Sequence, residues 1–352
     1  MLYFVGLGLA DEKDITVKGL EIVQKAERVY LEAYTAVLLV DKEKLEHFYG
    51  RPVILADREM VESSSDAILA DASEKDIAFL VVGDPFGYVS YLPSHLESIS
   101  PLSQTPKLPP TQLANTRRRT RATTHTDLLL RARTLHIPVQ TLPNASILTG
   151  IGCTGLSLYN FGQTLSMVFF TEKWRPTSFY PRLVENCRIG LHTLVLLDIK
   201  VKEPDFEVLT RTGRVRYLPP RFMTVARAAR QMMEVERGEE GGEGVCGEDV
   251  LAVGVARVGA GDMKIVAGTL GELARTLPVG EDVVGAEEGG EEDEEGGEKV
   301  VRHNGIDLGP PLHSLVIIGK RGHDLERDFL EEFAVDKARF VEIWNRDYGK
   351  QV

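Results

Sequence analysis

The chain has few residues of the kinds that build metal sites or disulfides. Its three cysteines include no CxxC pair, and its eight histidines form no HxH or HExxH pattern. These spacings fit neither a zinc site nor a disulfide framework. We therefore expect no metal and a reduced, cytoplasmic protein.

Long apolar runs are also missing. The apolar start, Leu2 to Leu9, is too short to span a bilayer and has no basic flank, so it predicts a first strand rather than a signal peptide. We expect neither a membrane nor a nucleic acid as a partner. With 352 residues and 43% hydrophobic residues, the chain can form two globular domains, each with its own core.

Acidic charge is concentrated in two stretches. Residues 234–249 hold seven acids and one arginine, and residues 281–299 hold ten acids and one lysine. Sequence rich in Gly and Glu buries little apolar surface, so we predict disordered loops at 237–249 and 281–304. One interpretation is solvated loop expansion, and the other is a surface for a basic partner.

Strands and helices alternate in the first half, which predicts a mostly parallel sheet. The second half combines a predicted hairpin, Leu251–Val258 with Lys264–Gly268, with helices, so we expect a mixed sheet there. The fold class is therefore α/β. The predicted domains are 1–162 and 163–323, followed by a C-terminal helix and tail at 324–352.

Three of the predicted helices have identifiable starts. Thr16 and Thr224 precede amphipathic or Ala-rich segments and are expected to be N-caps. Asn144 and Ser146 are expected to open a Gly-rich helix that runs to about Asn160. A last helix is predicted over Asp324–Asn345.

The most informative stretch is the apolar segment that begins at Ile77 and ends in Gly83-Asp84-Pro85-Phe86-Gly87. It predicts a strand buried on both faces that stops in a sharp turn. Open α/β sheets bind ligands at the carboxyl ends of their strands, where Asp84 would lie. Asp84 is expected either to brace this turn or to contact a ligand.

Residues 88–121 do not resemble their surroundings. They contain five prolines, one acid and the run Arg117-Arg118-Arg119, with no helical or strand period. A connection of two to six residues is usual between such a strand and helix. Joining Gly87 directly to Ala122 gives a compact turn before a helix. We therefore hypothesise that these 34 codons are a retained intron in frame; a disordered insert is the alternative.

Gly6-Leu7-Gly8-Leu9 follows the first strand and suggests a dinucleotide site. However, Asp11 stands where the third glycine of that motif belongs, and neighbouring acids would repel a pyrophosphate. The pattern instead predicts a tight turn whose backbone can approach a ligand without phosphates.

Many blocks of the chain, in register over about residues 1–320, resemble the diphthine synthases. They include Met1–Leu9, Asp14–Leu20, Val29–Thr35, Gly83–Gly87, Asn144–Ile147, Thr171–Pro176, Leu196–Glu203, Pro219–Met223, Ala256–Gly259 and Pro311–Leu315. The resemblance implies the tetrapyrrole-methylase-like fold, with two α/β domains, S-adenosylmethionine in the cleft between them, and a homodimer. Carried over residue by residue, the cofactor-binding residues are Leu9, Asp84, Gly87, Ser146, Ile147, Leu197, Val258 and His313.

The family methylates the modified histidine of translation elongation factor 2 in diphthamide biosynthesis, and its eukaryotic type gives diphthine methyl ester. The sulfonium cofactor carries its own leaving group, so we predict no dedicated catalytic residue. Two alternatives remain: a methylase of small tetrapyrroles, and an inactive binding or scaffold protein of the same fold.

Overall fold

The computed structural model describes residues 1–33, 40–87, 124–201, 211, 216–277 and 304–349. The chain divides into two compact units, Met1–Leu148 and Thr149–Val352. The predicted boundary at residue 162 falls inside the second unit, and the predicted tail at 324–352 belongs to that unit as well.

The first unit is built on a parallel five-stranded sheet in the order β3-β2-β4-β1-β5. This confirms the parallel sheet expected from the alternating pattern. All five strands run in the same direction, so their carboxyl ends share one edge. The strands are β1 (Leu2–Gly6), β2 (Arg28–Glu32), β3 (Ile54–Ala56), β4 (Ile77–Val81) and β5 (Val139–Leu142).

Both faces of this sheet are covered. Along β4, Ile77 and Phe79 pack in one apolar cluster, whereas Ala78 and Leu80 pack in another. Alternating side chains point to opposite faces, so a strand covered on both sides must be apolar throughout. The covering helices are α1 (Val17–Lys25), α2 (Lys42–Tyr49), α3 (Arg58–Ser63), α4 (Ser65–Leu69) and α5 (Thr124–Thr134).

The second unit contains a mixed sheet in the order β11-β10-β12-β7-β6, as expected. Only β6 and β7 are parallel; the other neighbouring strands are antiparallel, including the predicted hairpin. The strands are β6 (Leu165–Met167), β7 (Thr193–Leu197), β8 (Ile199–Lys200), β9 (Arg221–Phe222), β10 (Leu251–Ala256), β11 (Lys264–Thr269) and β12 (His313–Ile317), with β8 and β9 forming a separate two-stranded sheet.

Both threonine caps are confirmed. The Thr16 hydroxyl accepts a hydrogen bond from the Gly19 N–H at 3.0 Å, and Thr224 accepts one from Arg227 at 3.2 Å. Further helices are α6 (Ile147–Gly150), α7 (Tyr180–Arg188), α8 (Val225–Arg237), α9 (Leu270–Leu273), α10 (Asp324–Glu331) and α11 (Lys337–Asp347).

Two helix predictions were too long. The helix expected to reach Asn160 ends at Gly150 and is followed by short 3₁₀ turns, between which Gly155 takes a left-handed φ of 75°. The C-terminal helix is split into α10 and α11. Between them, the Phe333 carbonyl accepts from the Ala267 N–H and the Val335 N–H donates to the Ala267 carbonyl. Pairing with strand β11 therefore interrupts the helix.

Residues 238–249, predicted to be disordered, instead wrap around the carboxylate of Glu236. Its oxygens accept hydrogen bonds from the backbone N–H groups of Gly242, Gly244 and Cys246 at 2.7–3.0 Å and from the Tyr180 hydroxyl at 3.1 Å. Burial alone would raise the pKa of Glu236, but the bonds from Cys246 and Gly244 outweigh it and lower the pKa below its ordinary value. This charged centre, together with the buried Cys246, orders a segment that has few apolar residues.

Glu236→Gln is expected to reduce the free energy of unfolding by about 2 kcal/mol. An amide has only one oxygen, so it cannot accept hydrogen bonds at both positions that the carboxylate oxygens occupy. The pKa of Glu236 is lower in the folded state, so its contribution is present above pH 4.5, the ordinary value, and is lost as the pH falls further. Urea unfolding of both proteins at neutral and acidic pH measures this difference.

Glu234→Gln is the control, because Glu234 lies on the same helix in an exposed pair with Arg175. Its expected change is below about 0.5 kcal/mol. Equal losses in the two variants would contradict the central role of Glu236.

Two of our predictions concern segments that the structure does not describe. Residues 88–121 and almost all of the second acidic stretch, 281–303, lie outside the described residues. Among the residues that are described, no helix is long and apolar enough to cross a membrane.

Candidate functional site

The loops after β1 and β4 are joined at the carboxyl edge of the first sheet. The Gly8 N–H donates to the Gly83 carbonyl at 3.2 Å, and the Gly83 N–H donates back to Gly8 at 2.7 Å. Both residues have φ near +78°, at 79° and 77°, which strongly favours glycine. These paired turns give the edge a fixed backbone.

Asp84 braces this edge. One carboxylate oxygen accepts from the Phe86 N–H at 2.9 Å, and the other accepts from the Asn144 N–H at 3.0 Å. The side chain therefore holds its own turn and fastens it to the segment after β5. Each oxygen keeps a second lone pair, so the brace is compatible with the predicted ligand role, which stays a prediction.

Asn144 connects three segments, a role that its expected N-cap function did not anticipate. Its amide nitrogen donates to the carbonyls of Gly6 and Asp14, both at 2.9 Å, and its amide oxygen accepts from the Ala145 N–H at 2.7 Å. The polar block around Asn144 was visible in the sequence. Its partners 130 or more residues away were not.

Gly87 lies against two other predicted site residues. A Cβ added at Gly87 would stand 2.8 Å from the Ser146 Oγ and 2.9 Å from the Asp84 Cβ. Such distances are too short for a side chain, so Gly87, Ser146 and Asp84 are close neighbours. Ser146 is buried, whereas Ile147 is partly exposed at the start of α6.

In the turn after β1, two backbone N–H groups are already bonded to a carboxylate. The Asp14 carboxylate accepts from the N–H groups of Leu9 and Ala10 at 3.1 and 2.8 Å. A phosphate at this position would have to displace that carboxylate and would also be repelled by it. This geometry supports the argument against a dinucleotide site. It also places Leu9 in a turn whose backbone is hydrogen-bonded to the Asp14 carboxylate of the same loop.

In the second unit, the three predicted residues lie at one edge of the sheet. The register that pairs Ser314 with Leu196 places His313 next to Leu197. His313 also pairs with Ala256, two residues before Val258. Sheet geometry alone therefore brings Leu197, Val258 and His313 near one another.

The His313 side chain is held by backbone groups on both sides. Its Nδ1 accepts from the Val225 N–H at 3.4 Å, so the proton is assigned to Nε2, which lies 3.0 Å from the Gly309 carbonyl. Burial lowers the pKa of His313 and favours the neutral form. The imidazole thus links the loop before β12 to the first residue of α8.

Arg257 organises the same edge, and it was not among the predicted site residues. It is buried, and its guanidinium donates to the side chain and backbone of Asp262 at 2.7 Å and to the Leu308 carbonyl at 3.0 Å. Its backbone φ of 50° is unusual for a residue with a side chain. The block Arg257-Val258-Gly259 was the available signal in the sequence.

The predicted residues thus form one group in each unit. The first group contains Leu9, Asp84, Gly87, Ser146 and Ile147, and the second contains Leu197, Val258 and His313. That both groups serve the same cofactor stays a prediction.

Comparison with known proteins finds a matching family model and several similar proteins. The family model for tetrapyrrole (corrin/porphyrin) methylases matches residues 1–98. A diphthine methyl ester synthase from Aspergillus fumigatus is 56% identical over 349 residues, covering 99% of each chain. One from Schizosaccharomyces pombe is 49% identical, covering 97% of this chain and 98% of that protein.

Solved structures agree. A structure from Entamoeba histolytica, assigned to the diphthine synthases, is 38% identical with a TM-score of 0.67 and covers 96% of this chain and 99% of that one. A second crystal structure of diphthine synthase is 27% identical with a TM-score of 0.65, covering 97% and 99%. The fold expected from the sequence is confirmed.

Proposed function

Since the chain belongs to the diphthine synthase family of methyltransferases, we propose that it methylates translation elongation factor 2 with S-adenosylmethionine. The acceptor is the modified histidine of that factor in diphthamide biosynthesis, and the product is diphthine methyl ester. The identity of 56% with a diphthine methyl ester synthase over nearly the whole chain is the observation that carries this proposal.

The first unit suits a cationic ligand without phosphates. The N–H groups of Leu9 and Ala10 are occupied by Asp14, and Asp84 adds a second carboxylate at the same sheet edge. Carboxylates favour a nearby positive charge and disfavour an anion. S-adenosylmethionine fits these two carboxylates, because its sulfonium and ammonium groups outweigh its single carboxylate and it has no phosphate.

The residues proposed to hold the cofactor are the two groups described above. When bound, S-adenosylmethionine would supply an electrophilic methyl group, and its sulfur would leave as a neutral thioether. Transfer of this methyl group to a carboxylate would require no proton transfer, so it would require no base from the chain. The chain therefore has to orient the two reactants and exclude water. Water would disfavour the reaction, because it stabilises the opposite charges that are lost in the transfer.

No side chain needs to act as a base in the ester-forming step. His313 has both ring nitrogens directed at backbone groups, which agrees with a positioning role. An amine acceptor would have to be neutral before each transfer, and loss of its proton to water suffices. The homodimer and the cytoplasmic location expected from the sequence stay predictions.

Calorimetry with S-adenosylmethionine tests the cofactor, with binding of one molecule per chain expected. The protein is then incubated with methyl-labelled cofactor and elongation factor 2 that lacks the methyl groups. The modified histidine peptide should gain mass in whole methyl increments, and their number counts the transfers. Absence of cofactor binding would refute the proposed function and favour a scaffold protein.

A methylase of small tetrapyrroles is the rival, because the family model that matches residues 1–98 carries that description. The full-length relatives named diphthine methyl ester synthase favour the protein substrate. Parallel assays with a porphyrin precursor should give no labelled product. Labelling of the porphyrin without labelling of the elongation factor would reverse the assignment.

A further inference from the structure

A buried histidine that the proposed chemistry does not use lies beside the Asp84 turn. His125, on α5, is 5% exposed and packs near the rings of Phe4 and Phe79, with centroid distances of 6.4 and 5.9 Å. A polar ring in such surroundings needs partners for both nitrogens.

One partner of His125 is the turn itself. Its Nδ1 lies 2.9 Å from the Pro85 carbonyl oxygen. A carbonyl can only accept, so we assign a proton to Nδ1. Pro85 has no N–H with which to anchor the turn, and its carbonyl provides the attachment instead. The turn is therefore held by Asp84 on one side and by His125 on the other.

The second partner is Glu32, at the carboxyl end of β2. The His125 Nε2 lies 3.2 Å from the Glu32 Oε2, and the two side chains are 6% and 1% exposed. With Nδ1 already protonated, an unprotonated nitrogen facing an unprotonated carboxylate would place two acceptors against each other. A proton carried by one of the two groups removes this repulsion, and the two side chains remain in close polar contact.

We propose that His125 and Glu32 are positioning residues, which hold the Gly83–Gly87 turn in the conformation that binds the cofactor. This inference rests on the proposed function, because it takes Asp84 and Gly87 as cofactor-binding residues. The pair links the end of β2 through the imidazole to the turn that contains both. It makes no contact with the reacting atoms and acts through the turn.

His125→Phe tests the proposal because it keeps an aromatic ring and removes the link to Pro85. We expect the Kd for S-adenosylmethionine to rise at least about tenfold, as loss of a buried hydrogen bond predicts. The kcat at saturating cofactor should change less than about threefold, since chemistry follows binding. Kd is measured by calorimetry on the full chain, well below its unfolding temperature.

Glu32→Gln is the conservative variant. Its amide can donate to the neutral imidazole and keep His125 aligned with Pro85, so Kd should stay within about threefold of the wild-type value. His125→Phe also removes the imidazole that faces the buried Glu32 carboxylate, and this loss can prevent folding. In that case the Kd of the double variant His125→Phe/Glu32→Leu is measured instead, because this variant removes the carboxylate as well.

His192 in the second unit provides a matched control. Its Nε2 lies 3.4 Å from the Glu326 carboxylate, its Nδ1 accepts from the Gly319 N–H at 3.0 Å, and both side chains are at most 5% exposed. It lies before the start of β7, whereas Leu197 ends that strand. His192→Phe should lower stability and leave Kd within about twofold.

The outcomes separate the two proposals. Cofactor binding by the wild type, with an unchanged Kd in folded His125→Phe, would overturn the positioning role alone. An equal rise in Kd for His192→Phe would overturn it too, because general destabilisation would then explain both. Absence of cofactor binding by the wild type would overturn the proposed function and this inference together.

Discussion

Asp84→Asn is expected to weaken binding of S-adenosylmethionine by about a hundredfold, which corresponds to about 2.7 kcal/mol. The side chain keeps its size, but one acceptor oxygen becomes an NH₂ group. That group would face the N–H of either Phe86 or Asn144, which donate to the two carboxylate oxygens at 2.9 and 3.0 Å. One bond is lost and two donors meet, so the turn separates from the segment after β5.

Calorimetry on the folded variant measures this effect. Asp11→Asn is the control, because it removes the same charge from the loop after β1 while its own bond, from the Lys13 N–H at 2.8 Å, is local and exposed. We expect Asp11→Asn to change Kd less than about threefold. Similar losses in both variants would assign the effect to charge rather than to the brace.

Deletion of residues 88–121 is expected to stabilise the protein by about 2 kcal/mol. The described residues on either side are already close, because the Pro85 carbonyl lies 2.9 Å from the His125 Nδ1 and the Phe86 and His125 rings both pack near Phe4. Closing 36 residues between two fixed ends costs more entropy than closing the two that remain. The turn should keep its contacts after the deletion.

Thermal unfolding of the full and shortened chains checks this expectation, with a higher midpoint for the shortened one. Cofactor binding should be retained, since Asp84, Gly87 and Ser146 are unchanged. A lower midpoint would show that the fold needs the deleted residues. The retained-intron hypothesis is tested separately, by transcript reads that join the Gly87 and Ala122 codons. Peptides from 88–121 in a cell digest would refute it.

The sequence alone predicted the features that depend on local order. The apolar run from Ile77 was predicted to be a strand covered on both faces, and Thr16 and Thr224 cap their helices through N–H groups three residues away. The resemblance to diphthine synthases also rests on blocks contiguous in sequence. Such signals act over a few residues, so a linear reading captures them.

Other features depend on partners far along the chain. The C-terminal helix is broken because residues 333–335 pair with Ala267, although their own sequence favours a helix. Likewise, the Gly- and Glu-rich stretch predicted to be disordered is ordered around Glu236. In both cases hydrogen bonds formed only in the folded chain outweigh the local preference.

The amino-acid order by itself thus determined the α/β class, the presence of the two glycine turns and which residues to examine at the two sheet edges. Only the tertiary structure decided that Asp84 spans to Asn144, that His313 is held by backbone groups, and that His125 holds the Pro85 turn. The reason is physical. The type of a side chain determines its chemistry, but its hydrogen-bonding partner depends on the tertiary structure, because the sheet brings the ends of strands that are distant in sequence next to each other.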